Sequence, residues 1–330
     1  MPCSSIRAFY LTCVGVLLGM IEKRIAIVLP TYNGERYLPD QLDSILQQDT
    51  DLPVDVFVRD DGSGDSTTSI IDDYVEKTRQ SKKRILRVVD DLGNLGVPRG
   101  FYHLLKLVNG YSFYAFCDQD DIWEPNKLSR AVSFLDDSAA SDPLVYCGSF
   151  DYLDADRSFV RDCAPLPSKM TFDRSLFYTI RQGFSIVIND AARREFILPF
   201  SETMEMHDRY IIRCAASMGV LLLDDAVTAH HVRHAAAVTS GDSCLLSSIR
   251  VFLFDELLGD EAHKDYCCLV EFLERFGSRL SVQDVRTLQF FTSDAVPFKR
   301  IRRAFVPRRM RSTFGGELAL RISFLFNRYE

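Results

Sequence analysis

The tetrad Asp118-Gln119-Asp120-Asp121 sets three carboxylates within four residues. The apolar run Tyr111-Ser112-Phe113-Tyr114-Ala115-Phe116-Cys117 precedes it, and Ile122-Trp123-Glu124-Pro125 follows. A short apolar run of this kind predicts a buried strand, and Pro125 suits the first turn of a helix. The carboxylates therefore stand where a strand ends and the chain turns, which in open α/β sheets is the ligand-binding edge. Carboxylates crowded there repel one another unless a cation neutralises them. A hard divalent cation carrying a diphosphate would do so, because Mg²⁺ is usually held by one or two carboxylates plus substrate phosphates.

A second acidic turn, Asp60-Asp61-Gly62-Ser63, follows the run Val54-Asp55-Val56-Phe57-Val58. It has two readings: a carboxylate facing a nucleoside base or ribose at the sheet edge, or a turn whose Asp caps the next helix. A calcium loop is excluded, since a loop starting at Asp60 would put Gly62 at the second ligand position and Ile71 where a bidentate Glu is needed. Pro30-Thr31-Tyr32-Asn33-Gly34 is turn chemistry after the run Ile25-Ala26-Ile27-Val28-Leu29. There is no G-x-G-x-x-G, no G-x-x-x-x-G-K-[ST] and no G-x-S-x-G, which disfavours dinucleotide folds, P-loops and hydrolase elbows.

The elements that must position these turns alternate. Apolar strands at 25–29, 54–58 and 85–89 are interleaved with helical spacing at Leu38, Leu42, Ile45 and Leu46, at Ile70, Ile71, Tyr74 and Val75, and at Phe101, Leu104, Leu105 and Val108. This pitch predicts βαβ units and a mostly parallel sheet flanked by helices, an α/β fold. Beyond residue 140 the alternation loosens: 144–147, 184–188 and 220–223 read as strands, 153–169 as loop, 210–218 as helix, and the chain from Cys244 onward as helical. With 330 residues, 47% of them hydrophobic, the chain can bury one large core and a smaller one. Its net charge of −7 argues against a general nucleic-acid binder. The nine cysteines include no C-x-x-C, so neither a zinc site nor a disulfide framework is indicated.

Taken together, Val28-Leu29-Pro30-Thr31-Tyr32-Asn33-Gly34, Asp60-Asp61-Gly62-Ser63 and Asp118-Gln119-Asp120-Asp121 with Ile122-Trp123 and Pro125 resemble the inverting family 2 glycosyltransferases of the GT-A fold. The likeness covers roughly residues 24–235, and the D-Q-D-D-I-W form is most similar to the rhamnosyltransferase branch, whose usual donor is dTDP-rhamnose. The resemblance implies that Pro30, Thr31, Tyr32 and Asn33 border the donor, that Asp60 and Asp61 lie at its nucleoside with Asp61 on the pyrimidine, and that Asp118 touches ribose or a metal-bound water. It implies Asp118 and Asp120 as the D-x-D pair holding Mg²⁺ or Mn²⁺. Asp208, in Met206-His207-Asp208, falls where the family carries its catalytic base. Of His230, His231 and His234, the resemblance implies His234 as a phosphate contact or metal ligand. The family's Arg-Gln-His-Gly-Asn-Asn reads Val232-Arg233-His234-Ala235-Ala236-Ala237 here.

The function so implied is transfer of a sugar, rhamnose by the motif, from a nucleoside-diphosphate donor (dTDP-rhamnose or a UDP-sugar) to a saccharide or lipid-linked acceptor in surface polysaccharide synthesis. The alternative is a non-catalytic nucleotide-sugar-binding subunit of a polysaccharide assembly complex. A third class, an unrelated nucleotidyltransferase, lacks a phosphate loop after the first strand. Residues 1–23 read as an N-terminal extension, with Met20 the expected start; 24–238 as the GT-A domain; 239–330 as a helical region. Its cations Lys299, Arg300, Arg302, Arg303, Arg308, Arg309 and Arg311 have no acid between them. With Ile301, Phe305 and Met310 interleaved, they predict association with an anionic membrane surface, on the cytoplasmic face.

Overall fold

The structure, a computed structural model, describes residues 22–136, 141–199, 205–233, 259–293, 298–311, 314–326 and 329–330. Strands β1 (Ile25–Thr31), β2 (Val54–Asp60), β3 (Lys83–Val88) and β4 (Phe113–Phe116) pair in parallel in the order β3-β2-β1-β4. Helices α1 (Leu38–Leu46), α2 (Thr67–Thr78) and α3 (Arg99–Leu107) are the crossovers. The chain builds outward from β1 to β3, then returns to place β4 on the other side of β1. The strand order therefore reverses between β1 and β4, and a crevice opens at their carboxyl ends.

Past β4 the sheet becomes mixed. β8 (Ile186–Asn189) is antiparallel to β4 and to β6 (Leu144–Leu153). β6 runs parallel to the long β9 (Val220–Val232), and the two-residue β5 (Ile122–Trp123) pairs antiparallel with the end of β9. β7 (Phe159–Asp162) forms a hairpin with β6, which corrects the expectation of a loop over 153–169. All four β7 side chains are exposed. Backbone pairing to β6 rather than burial makes it a strand, so no hydrophobic pattern marks it.

Period-2 alternation sorts each strand between the two faces of the sheet. Ala26, Val28, Tyr114 and Phe116 join one apolar cluster, while Ile25, Ile27, Leu29, Phe113 and Ala115 join the other, which packs on α1, α2 and α4 (Lys127–Asp136). The first cluster packs on α3 and on α5 (His207–Met218). It also takes in side chains from α6 (Glu261–Phe276), α7 (Val282–Thr292) and α9 (Phe314–Leu325), among them Phe272, Phe276, Leu288, Phe291 and Phe324. Each such buried side chain contributes about 2 kcal/mol, so the C-terminal helices are bonded to the sheet's own core. A short helix, α8 (Lys299–Ala304), packs against α9.

Candidate functional site

The crevice edge is built by the turn after β1 and the turn after β4. Gln119 ties them together. Its Nε2 donates to Tyr32 O at 3.1 Å, and its Oε1 accepts from Tyr32 N at 2.9 Å and from the Thr31 hydroxyl. Asn33 takes a left-handed backbone (φ 48°), which Asn tolerates better than most residues. Its N donates to Ser63 Oγ at 2.8 Å and its Oδ1 accepts from Gly64 N at 2.9 Å, which joins the first turn to the second. At Gly34 a Cβ would come within 2.6 Å of Gln119 Oε1, so the clamp requires glycine there. Pro30 packs under Gly100 at the start of α3, and Tyr32 leaves its ring half-exposed over the crevice.

In the tetrad, Asp118 and Asp120 are half-buried and Asp121 is buried. Burial pushes the Asp118 carboxyl well above the usual range, and the charges of Asp121 and Asp120 push it further. Asp121 Oδ1 lies 2.7 Å from Nδ1 of His231. Register explains the meeting: β5 pairs Ile122 with His230 and Trp123 with Ala229, which carries the next residue of β9 onto Asp121. Burial opposes charge on His231, but its hydrogen bond to Asp121, with the other carboxylates beyond, outweighs that and raises its pKa. Behind the turn, Lys127 is fully buried with its Nζ 4.9 Å above the Trp123 ring and no hydrogen-bond partner among the described residues. Burial draws its pKa down to about 8.

At the second turn the two aspartates differ. Asp60 shapes its own turn, accepting from Gly62 N at 3.0 Å, Ser63 N at 2.9 Å and the Ser63 hydroxyl. Asp61 is buried, paired with Arg59 through one oxygen and accepting from Gly96 N at 2.7 Å through the other. Arg59 also holds Asp90 with two bonds of 2.8 Å, and that pairing holds the Asp90 carboxyl far below its ordinary value. Arg59 thus fixes the loop after β3 against the crevice.

Asp208 sits in the first turn of α5, its Oδ1 accepting from Arg209 N at 2.7 Å. Burial pushes its carboxyl up to about 6, against the lowering by that backbone bond and by the Arg209 charge. The turn that carries it lies against the end of β4, because the ring of the preceding His207 meets Phe116, two residues ahead of Asp118. The neighbouring His207 is a wedge. Its ring stacks on Phe116 (5.0 Å, 11°) and sits 4.3 Å from Phe101, and neither nitrogen has a hydrogen-bond partner among the described residues. Burial takes its pKa to about 3, so it stays neutral. Arg209 is anchored behind the acid by Asp265 of α6 at 2.7 Å and Glu205 at 3.3 Å. Asp265 in turn pairs with Arg311.

The structure thus ties the turn of Thr31, Tyr32 and Asn33 to Gln119 of the tetrad and to the turn after β2, and brings the start of α5, with Asp208, against the end of β4, while Asp60 is turned to its own loop. His234 lies outside the described residues. The histidine that meets the tetrad is His231, while His230 bridges Asp151 and Glu124, the latter at 2.6 Å. Gln119, Arg59, Lys127 and His231 carry the site's architecture without having been singled out. Gln119 stood inside the tetrad and His231 beside His234 in the histidine group, but Arg59 and Lys127 show no local sequence signal. A cavity of about 200 Å³ opens beside Asp120 and Asp121, lined also by Arg36, Tyr37, Asp40 and Arg157. That is smaller than an ordinary ligand cleft, so it has room for part of a ligand.

Among the described residues no group of three or more His, Cys, Asp or Glu could hold a metal ion. The donor chemistry of Asp118 and Asp120, carboxylates whose crowded charge raises Asp118, is of the kind a hard divalent cation takes together with phosphate oxygens. The seven-cation surface is corrected. Arg303 is buried and paired with Glu330, as is Lys299; Arg308 pairs with Asp173 and Arg311 with Asp265. Acids distant in sequence supply the partners, so only Arg300, Arg302 and Arg309 stand exposed. No helix among the described residues is long and apolar enough to cross a membrane.

Comparison with known proteins agrees with this architecture. The chain matches glycosyl transferase family 2 over residues 26–195, more than half its length. It is 37% identical over 109 residues to the dTDP-rhamnosyl transferase RfbG of Shigella flexneri, covering 32% of this chain and 36% of that one. It is 24% identical over 262 residues to the poly(ribitol-phosphate) beta-N-acetylglucosaminyltransferase TarS of Staphylococcus aureus, covering 76% of this chain and 44% of TarS. Against an uncharacterized Mycobacterium tuberculosis protein, Rv1520, the identity is 38% over 113 residues, 34% of this chain and 31% of that one. These matches span less than half the length of each relative. The crystal structure of S. aureus TarS 1–349 in complex with UDP-GlcNAc superposes with a TM-score of 0.53 at 19% identity, over 93% of this chain and 89% of that one. The sheet and its flanking helices are those of the GT-A fold, the C-terminal helices are an extension of it, and the chain belongs to glycosyl transferase family 2.

Proposed function

We propose that this protein transfers a sugar from a nucleoside diphosphate to an acceptor hydroxyl with inversion at the anomeric carbon. The observation that supports the reading is Asp208, a carboxyl that burial raises to about 6, in a turn packed through His207 on Phe116 beside the tetrad. A general base works best with a pKa near the operating pH. Asp208 would take the proton of the acceptor hydroxyl as that oxygen attacks the anomeric carbon from the face opposite the diphosphate. Tyr32, Asn33 and Asp61 would border the nucleoside, and the Gln119 clamp would keep that wall in register with the carboxylates. Asp118 and Asp120 would hold Mg²⁺ or Mn²⁺. When bound, such a cation supplies charge neutralisation for the departing diphosphate. Arg36 and Arg157, lining the cavity beside Asp120, would add positive charge there.

The finer reading is a rhamnosyl donor such as dTDP-rhamnose, supported by the D-Q-D-D-I-W motif and the RfbG match; a UDP-sugar is supported by the likeness to TarS. The acceptor we infer is a saccharide or a lipid-linked one, met at the inner face of the cell membrane. A panel of nucleoside-diphosphate sugars, assayed for nucleoside diphosphate release with Mg²⁺ or Mn²⁺, tests the reading. Release that depends on acceptor and is lost in Asp208→Asn supports it. Donor binding without any release would leave a nucleotide-sugar-binding subunit, and pyrophosphate release would indicate nucleotidyl transfer.

A further inference from the structure

Helices α8 and α9 have an outer surface that is unusual for a surface helix, whose solvent side is ordinarily polar. Phe298, Phe305, Phe314 and Phe326 are 82%, 71%, 80% and 72% exposed. Phe298 and Phe305 flank α8, which exposes Ile301 between them, while Phe314, Leu318 and Leu325 recur at i, i+4 and i+11 and share one side of α9. Arg321, on that same side of α9, donates to Ala304 O at 2.7 Å, Val306 O at 3.0 Å and Arg308 O at 2.8 Å. The end of α8 is thereby pinned beside the apolar side of α9. Phe298 holds a left-handed backbone (φ 49°), an uncommon conformation for a bulky residue.

Charge decides what such a surface would meet. From 298 to 330 the sequence has two acids, Glu317 and Glu330. Glu317 accepts from Met310 N and Arg311 N at 2.7 Å each and pairs with Arg321; Glu330 pairs with Lys299 and Arg303. The exposed charges on these helices, among the described residues, are Arg300 and Arg302, both positive on a chain of net charge −7. A twofold pairing of this face with itself would set arginine against arginine. Aromatic side chains interleaved with arginines suit an interface of acyl chains under anionic headgroups.

We propose that the outer face of α8 and α9 docks on an anionic lipid bilayer, with the phenylalanines entering the acyl boundary and Arg300 and Arg302 meeting the headgroups. The docking goes beyond the proposed transfer reaction and does not need it, so its test reads binding rather than turnover. The full-length protein is mixed with vesicles of phosphatidylcholine alone, or of phosphatidylcholine and phosphatidylglycerol in equal parts, and sedimented. Binding is expected to the mixed vesicles only, to weaken in high salt, and to fall about tenfold or more in Phe305→Ser/Phe314→Ser/Phe326→Ser. Phe305→Trp should keep binding, and its emission should shift to the blue with the mixed vesicles. That variant carries the test if the triple variant does not fold. Wild type left in the supernatant with mixed vesicles, or no blue shift, overturns the proposal. So does a phenylalanine-dependent dimer in light scattering without vesicle binding, which would assign the face to a second copy.

Discussion

Nδ1 of His231 lies 2.7 Å from Oδ1 of Asp121, in a pocket where the imidazole also stacks on Phe184 at 5.5 Å. Asp121 Oδ2 has no hydrogen-bond partner among the described residues; burial raises this carboxyl, and the hydrogen bond and charge of His231, with Lys127 beyond, oppose that rise. His231→Leu should cost about 3–5 kcal/mol, because it leaves a buried charge without its partner. The double variant His231→Leu/Asp121→Leu should recover much of that loss. Urea unfolding of the four proteins in the cycle measures it, and additive losses would show that the two side chains do not act as a pair.

Asp208 should govern the acidic limb of activity. With its carboxyl at about 6, the base is protonated and idle below that pH, so kcat/KM should rise as pH passes upward through about 6 and then level off. Asp208→Asn should lower turnover by about 10²–10⁴-fold while leaving nucleoside-diphosphate affinity nearly unchanged. Calorimetry reads the second quantity. A collapse of donor affinity together with activity would mean that Asp208 does more than accept a proton.

Asp120→Asn keeps the side chain's shape and removes its charge. Turnover should fall by about a hundredfold or more, since the departing diphosphate loses its neutralising cation. Titrating Mg²⁺ and Mn²⁺ into the nucleoside-diphosphate release assay is the check. An unchanged metal dependence with near wild-type rates would remove Asp120 from the cation site.

Gly183 should tolerate no side chain while His207 stands opposite it. A Cβ built there would overlap the imidazole. Gly183→Ala should destabilise by about 1–3 kcal/mol, the ordinary cost of overpacking. Gly183→Ala/His207→Ala should be less destabilised than the sum of the single changes, as thermal or urea unfolding would show. Strict additivity would place the strain elsewhere.

Lys127 gives a pH signature in stability. Its pKa falls from 10.5 in the free side chain to about 8, because burial disfavours the ammonium. Between those values the unfolded chain binds a proton that the folded chain does not, so stability should rise with pH across that window. Lys127→Met lacks the effect. Its unfolding free energy, set against wild type at about pH 7.5 and pH 9.5, should show the difference narrowing or turning in favour of wild type as pH rises. Parallel pH dependences would show that the lysine titrates normally.

The parallel half of the sheet was legible in the sequence because buried strands read as continuous apolar runs such as Ile25–Leu29, and their turns carry Asn, Gly and Asp. The mixed half was less so. β7 is an exposed edge held by backbone bonds, and β9 runs far past the apolar 220–223 because its later side chains include Asp224, His230 and His231. Helix α5 begins at His207 rather than Tyr210, since Met206 gives no capping signal. The Asp121–His231 pair spans 110 positions and arises only from the pairing of β5 with β9. The pairing of four of the seven tail cations was hidden for the same reason: their partners Asp173, Asp265 and Glu330 come from three separate places in the chain.

The link Arg209–Asp265–Arg311 runs from the residue beside Asp208 out to the C-terminal helices. Its consequence is felt in recombination. A chimaera that grafts the helices of a relative onto this sheet would need an acid where Asp265 stands, or Arg209 would be left with Glu205 alone behind Asp208. Sheet and helices would then be inherited as a matched set.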